Sequence, residues 1–280
     1  MKYFEPTSID EAVAILASED DARCVAGGAT LVAMMNADLL SPSALVGLRR
    51  IDELEGITKT EEGLRIGAMT THASIAKSDL FEAGMSVIHR AANQIAHPPV
   101  RNMGTIGGSI SHADPAADFP TALIAANASI EIRGENGPRL IHADDFFLGY
   151  YETAVAENEI VSAVLVPAGP ANARGEHVKV TRVDGDFATA SVSLVLTIDN
   201  DKCTYARIAV GAVAATPLHL DEADAVLTDS ALEADIIAKA GAILVSASDP
   251  IDDVRGSANY RRTLIPRLLK RAVSNIQAAR

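Results

Sequence analysis

The chain has no tryptophan and only two cysteines, Cys24 and Cys203, among its 280 residues. They are far apart, without a C-x-x-C spacing or a nearby histidine, so this chain cannot build a zinc site or an iron–sulfur cluster by itself. Basic residues are also scarce, with 24 Lys plus Arg against 37 Asp plus Glu and a formal net charge of −13. A nucleic-acid footprint needs clustered Lys and Arg, and this acidic balance argues against one. No run of about 18 apolar residues occurs, and acidic residues interrupt the N-terminal MKYFEPTSIDEAVAIL, so neither a membrane span nor a leader is expected. The expectation is a soluble, cytoplasmic protein. Aromatics make up 4% of the residues and hydrophobics 48%. The abundance of Ala, Val, Ile and Gly suits mixed α and β layers in tight contact.

At about 100–200 residues per domain, the length accommodates two or three lobes and needs no staple. Ser8 and Glu11 form an S-x-x-E capping box ahead of Ile9, Ala12, Val13 and Leu16 at helical spacing. Residues 23–26 read as a short buried strand that runs into Gly27-Gly28-Ala29-Thr30, and Leu31, Met34 and Met35 then resume helical spacing. Strand character at 44–48 and again at 63–68 puts the end of an N-terminal lobe near residue 58. Val87, Ile88, Ala91, Ala92 and Ile95 trace a helical face that His97-Pro98-Pro99 ends. The stretch 100–118 mixes glycine, hydroxyl and carboxylate groups and reads as a working loop. Strands at 129–132, 139–141 and 159–166 make the middle lobe largely β, and 167–175 reads as a linker. Strands around 177–181, 192–198 and 207–213, followed by helices from about 221, 232 and 264, predict an α+β domain.

Two glycine turns stand out. In the first, residues 26–31, a strand meets a short helix, so backbone N–H groups and the Thr30 hydroxyl can converge on a pyrophosphate. The second, residues 105–109, is followed by His112, Asp114 and Asp118, whose polar groups suit the hydroxyls of a nucleotide. Neither is a G-x-x-x-x-G-K-S/T phosphate loop, and neither gives G-x-G-x-x-G with an acid about 20 residues on.

The pattern A-G-G-x-S/T-L at 26–31, with R-N-x-G-T-I-G-G-S/N at 101–109 and D-P-x-x-D at 114–118, resembles the paired flavin motifs of a known family. These are the FAD-binding medium subunits of molybdenum hydroxylases, relatives of carbon monoxide dehydrogenase and xanthine dehydrogenase. The resemblance continues through Lys179-Val180-Thr181-Arg182 and residues 185–190 to the R-G-S-A-N-Y-R-R of 255–262, so it spans the chain. It implies an α+β architecture: a vanillyl-alcohol-oxidase-like (PCMH-type) FAD-binding fold of two subdomains, 1–58 and 59–170, plus a C-terminal α+β domain over 176–280.

Position by position, the resemblance implies that Ala26, Gly27, Gly28, Ala29, Thr30 and Leu31 cradle the FAD pyrophosphate together with Thr105, Ile106, Gly107, Gly108 and Ser109. Asp118 would anchor sugar or ribityl hydroxyls. Ile95 and Leu165 would pack near the flavin ring, with Lys179 close to the cofactor. Phe187 stands where relatives often carry a tyrosine over one ring face; stacking survives the exchange, and the hydroxyl's hydrogen bond does not. The implied function is electron transfer. A large partner subunit with a molybdenum cofactor would hydroxylate or oxidise the substrate. A small partner with 2Fe–2S clusters would pass electrons to FAD on this chain, for delivery to NAD, a quinone or oxygen. A dimer of heterotrimers is the implied assembly.

Other residues support less. His97, His112 and His142 lack a ligand spacing, so no metal is expected. Ser109 and Ser111 lack a G-x-S-x-G elbow. Arg261, Arg262, Arg267, Lys270 and Arg271 form a basic helical face that is either solvated or a partner's dock. The rival functions are a stand-alone flavin oxidase, which would need acid–base groups over the ring, and a cofactor-free assembly module, against which the two intact Gly-Gly pairs argue.

Overall fold

The computed structural model describes residues 1–279. Its first lobe contains β1 (Lys2–Phe4), α1 (Ile9–Ser18), β2 (Ala22–Val25), α2 (Leu31–Asn36) and β3 (Ala44–Gly47). Ser8 caps α1 by accepting from the Glu11 N–H at 3.2 Å, and the Glu11 carboxylate accepts in return from the Thr7 N–H at 2.7 Å. This is the capping box expected from the sequence, with its return arm one residue earlier. The three strands are parallel in the order β1-β3-β2.

The second lobe begins with β4 (Ile57–Lys59), β5 (Gly63–Gly67), α3 (His72–Lys77), α4 (Ser86–Gln94), α5 (Pro98–Met103), α6 (Ile106–His112) and α7 (Asp118–Ala125). It continues with β6 (Ser129–Gly134), β7 (Gly137–His142), α8 (Ala143–Phe146), β8 (Phe147–Gly149), β9 (Glu152–Thr153) and β10 (Ile160–Pro167). Its main sheet is antiparallel, ordered β4-β5-β10-β6-β7. The division expected near residue 58 falls inside β4. Ile57 pairs with Ile66, and Gly56 just before it has a φ of +91°.

The stretch read as a loop at 100–118 is largely helical. Pro98 and Pro99 open α5 at its first positions, where a missing N–H costs nothing, and Gly107 packs inside α6 because a Cβ there would lie 2.6 Å from that of Ala68.

The C-terminal domain contains β11 (Ala173–Val180), β12 (Ala190–Asp199), β13 (Lys202–Gly211), α9 (Asp221–Leu227), α10 (Ala234–Ala247) and α11 (Ala258–Ala278). Strand β11 starts within the expected linker, since Ala173 already pairs with Thr197. Alternation along this sheet sorts its two faces. Val178, Val192, Leu194, Leu196, Ile208 and Val210 join the helices of the C-terminal core. The opposite face carries His177, Lys179, Ser193, Val195, Arg207 and Ala209, and Val195 and Ala209 belong to the core of the first two lobes. That polar face packs on α4 and α7. The domain interface is therefore a sheet face whose polar side chains must find partners on helices from the other unit.

Candidate functional site

The two glycine turns meet. A Cβ at Gly108 would sit 3.8 Å from that of Ala26 and 3.0 Å from Thr105 Oγ1. A Cβ at Gly27 would collide with the Met103 carbonyl, just before the second turn. Gly28 has a φ of +73°, the left-handed conformation that lets successive N–H groups face one way.

The turns differ in what they have left to offer. The N–H groups of Gly27, Gly28, Ala29 and Thr30 find no acceptor among the described residues. In the second turn the N–H of Ile106 goes to the Thr70 carbonyl at 3.0 Å, that of Gly107 to the Ala68 carbonyl at 2.8 Å, and that of Gly108 to Thr105 Oγ1 at 3.1 Å. The two turns therefore differ in the groups they leave free for a ligand. The first keeps its donors, whereas the second spends them on its own fold and presents the bare Cα of Gly108. The combination, a row of unspent donors beside a surface a side chain would fill, fits a pyrophosphate.

Asp118 opens α7 and is 5% exposed. Its Oδ1 accepts from His177 Nε2 at 2.9 Å and its Oδ2 from Lys179 Nζ at 2.9 Å, both on the inner face of β11. Burial pushes the Asp118 carboxyl up, but the hydrogen bonds and positive charge of His177 and Lys179 outweigh it and hold the group below the usual carboxylate range. Lys179 Nζ also donates to the Asp186 carbonyl at 3.0 Å, and Asp186 Oδ1 accepts from the Phe187 N–H at 2.8 Å. The same loop is tied to the helical unit by the Ala96 N–H donating to the Gly185 carbonyl at 3.0 Å. Phe187 itself is 43% exposed, with the Arg255 guanidinium 5.2 Å from its ring centre. A chain of contacts therefore runs from Asp118 through Lys179 to the loop that presents Phe187.

Ile95 ends α4, half-buried against the core, and its carbonyl accepts from Arg101 at 2.8 Å. Leu165 lies within the five-stranded sheet, opposite Arg65 and Ser129, on the strand β10 that packs against α6.

Sequence reasoning missed His177, Ser193 and Thr121, which bond to one another behind Asp118. One signal was present: His177 and Lys179 are two apart on a strand and so share a face. It also missed His72, which packs on Phe119 with ring centres 5.2 Å apart and touches Gly104. Burial pushes the His72 imidazole down to about 4, the Asp118 charge opposing and Arg101 assisting, so it is neutral at neutral pH. His97, His112 and His142 have separate surroundings: the first precedes α5, the second packs on Tyr151, and the third meets Asn127 and Asp144.

Comparison with known proteins shows the family to which the chain belongs. The family described as the FAD binding domain in molybdopterin dehydrogenase matches residues 1–169, and the CO dehydrogenase flavoprotein C-terminal domain matches residues 177–276. The carbon monoxide dehydrogenase medium chain of Afipia carboxidovorans is 38% identical over 277 residues, covering 99% of this chain and 96% of that one. The nicotine 6-hydroxylase medium subunit of Paenarthrobacter nicotinovorans is 34% identical, covering 98% and 96%. Among solved structures, the Cu,Mo-CO dehydrogenase superposes with a TM-score of 0.96 at 38% identity, covering 99% and 98%. Quinoline 2-oxidoreductase from Pseudomonas putida 86 gives 0.93 at 31%, covering 100% and 98%. With both family domains, the paired glycine turns and the whole-chain match in hand, this chain belongs to the family of FAD-binding medium subunits of molybdenum-dependent dehydrogenases and hydroxylases.

Proposed function

We propose that this chain is the electron-transfer subunit of a heterotrimeric molybdenum hydroxylase. The observation that carries the reading is the row of unspent N–H groups at 27–30 set against the bare Cα of Gly108. When bound, FAD supplies the redox chemistry, taking electrons from the 2Fe–2S clusters of a small subunit and delivering them to NAD, a quinone or oxygen while a large subunit's molybdenum cofactor transforms the substrate.

The chain's own residues bind, orient and shield. Gly27, Gly28, Ala29 and Thr30 donate to the pyrophosphate, with Ala26 and Leu31 flanking them. Thr105, Ile106 and Gly107 shape the opposing turn, Gly108 gives it room, and Ser109 adds a hydroxyl. Asp118, held ionised, accepts from sugar or ribityl hydroxyls through lone pairs that His177 and Lys179 leave open. Lys179 ties Asp118 to the 182–187 loop, so Phe187 is presented at a set depth, and its ring can stack without a hydroxyl. Ile95 and Leu165 supply apolar surface near the ring. The assembly is a dimer of heterotrimers.

The test is to isolate the protein from its source with accompanying chains, release the cofactor by heat and identify it by mass. FAD, with molybdenum and iron in the co-purifying chains, is the expected result. FAD in a lone chain would favour a stand-alone flavin oxidase, and no flavin a cofactor-free module. Gly108→Val, which fills the space at the second turn, should abolish FAD retention; retention at the wild-type level would remove that turn from the site.

A further inference from the structure

We infer that His177 is a positioning residue for the cofactor, acting through Asp118 as part of a closed hydrogen-bonded ring between the FAD-binding unit and the C-terminal domain. The inference rests on the reading of Asp118 as the carboxylate that accepts cofactor hydroxyls.

The ring can be followed atom by atom. His177 Nε2 donates to Asp118 Oδ1 at 2.9 Å, and His177 Nδ1 lies 2.8 Å from Ser193 Oγ. Ser193 Oγ donates to Thr121 Oγ1 at 3.0 Å, and Thr121 Oγ1 donates to the backbone carbonyl of Asp118 at 3.0 Å. The path leaves Asp118 by its side chain and returns by its main chain. The His177 side chain, Ser193 and Thr121 are all 0% exposed, so bulk water does not reach them in the intact ring.

Such a ring does what Lys179 cannot do alone. An ammonium is a compact charge on a flexible stem, so it fixes how far away the carboxylate lies more than how it is turned. A planar imidazole donor, itself held at its other nitrogen, fixes the plane of the carboxylate. Each carboxylate oxygen accepts more than one hydrogen bond, so with Oδ1 on His177 and Oδ2 on Lys179 the remaining lone pairs have a set direction. A buried ion pair is weak grounds for stability, because apolar residues of equal volume serve as well. Orientation is what four buried polar groups add at this interface.

The test measures FAD binding to the deflavinated enzyme, prepared with the chains that accompany it, by quenching of flavin fluorescence. His177→Gln should raise the FAD Kd on the order of ten-fold, and Ser193→Ala, which spares the fold more, several-fold. Asp118→Asn should also weaken binding. In the Asp118→Asn background neither second change should weaken FAD further, although each should still lower the thermal midpoint. A purely structural role would move the midpoint and leave the Kd alone. If Asp118→Asn weakens FAD but His177→Gln and Ser193→Ala do not, the positioning role is overturned and the role of Asp118 stands. If Asp118→Asn leaves the Kd unchanged, the reading of Asp118 falls and this inference with it. An undiminished His177→Gln effect in the Asp118→Asn background would also overturn it, since His177 would then act by another route.

Discussion

The interface between the FAD-binding unit and the C-terminal domain is fastened at two places by the same three kinds of side chain. At one, Asp118 meets Lys179 and His177; at the other, Asp144 of α8 meets Arg207 of β13 and His219. In both, the acid comes from a helix of the first unit, and the cation and histidine from the second. Their settings differ. The Asp118 group is the more deeply buried, with side-chain exposures of 5%, 4% and 0%, whereas Asp144 is 31% exposed, Arg207 12% and His219 10%.

At the rim, His219 is shared between Asp144 and Asp224, the latter 2.9 Å from its Nε2, and Asp221 stands 3.7 Å away. Burial pushes the His219 imidazole down, but the hydrogen bonds to Asp144 and Asp224 outweigh it and raise the group to about 9, with Arg207 opposing. Burial likewise pushes Asp144 up, and His219 and Arg207 bring it down to about 2. The contrast teaches that one chemical pattern can fasten the same interface in two settings that differ in access to water.

The largest effect should come from Asp118→Ala, which strands two donors in the buried joint. A loss of about 3–5 kcal/mol in denaturant unfolding is expected, and a loss near 1 kcal/mol would mean that water reaches the site. Asp144→Ala, at the rim, should cost about 1–2 kcal/mol, because Arg207 keeps the Ile124 carbonyl at 2.7 Å and His219 keeps Asp224. Equal losses at the two joints would erase the distinction.

The smallest effect is pH-dependent. A histidine whose folded pKa is raised contributes stability fully below its unfolded value of 6.5 and loses it as pH rises through about 9. Asp144, depressed to about 2, contributes above its unfolded value of 3.8 and loses that contribution as pH falls through about 2. The stability difference between wild type and His219→Gln, about 1 kcal/mol at pH 6 after allowance for solvent screening, should therefore shrink toward pH 10. A difference that is flat from pH 6 to 10 would show that the rim joint does not titrate.

The glycine turns, the α1 cap and most strands were legible because each is written in adjacent residues: Ser8 with Glu11, Gly27 with Gly28, Val192 alternating with Ser193. The helices α5 to α7 were hidden because their glycines and prolines are ordinarily breakers. Here Pro98 and Pro99 occupy a helix start, and contact with Ala68 offsets the flexibility of Gly107. Neither joint could be read locally, since Asp118 and His177 are 59 positions apart. Nor could spacing reveal that Ile106 and Gly107 give their N–H groups to Thr70 and Ala68, far from either motif.

Gly27 against the Met103 carbonyl has a further consequence. The gap between the two walls of the cradle is gauged by main chain touching main chain, with no side chain interposed. In the proposed site this contact, rather than a side chain, would set how far apart the two turns stand.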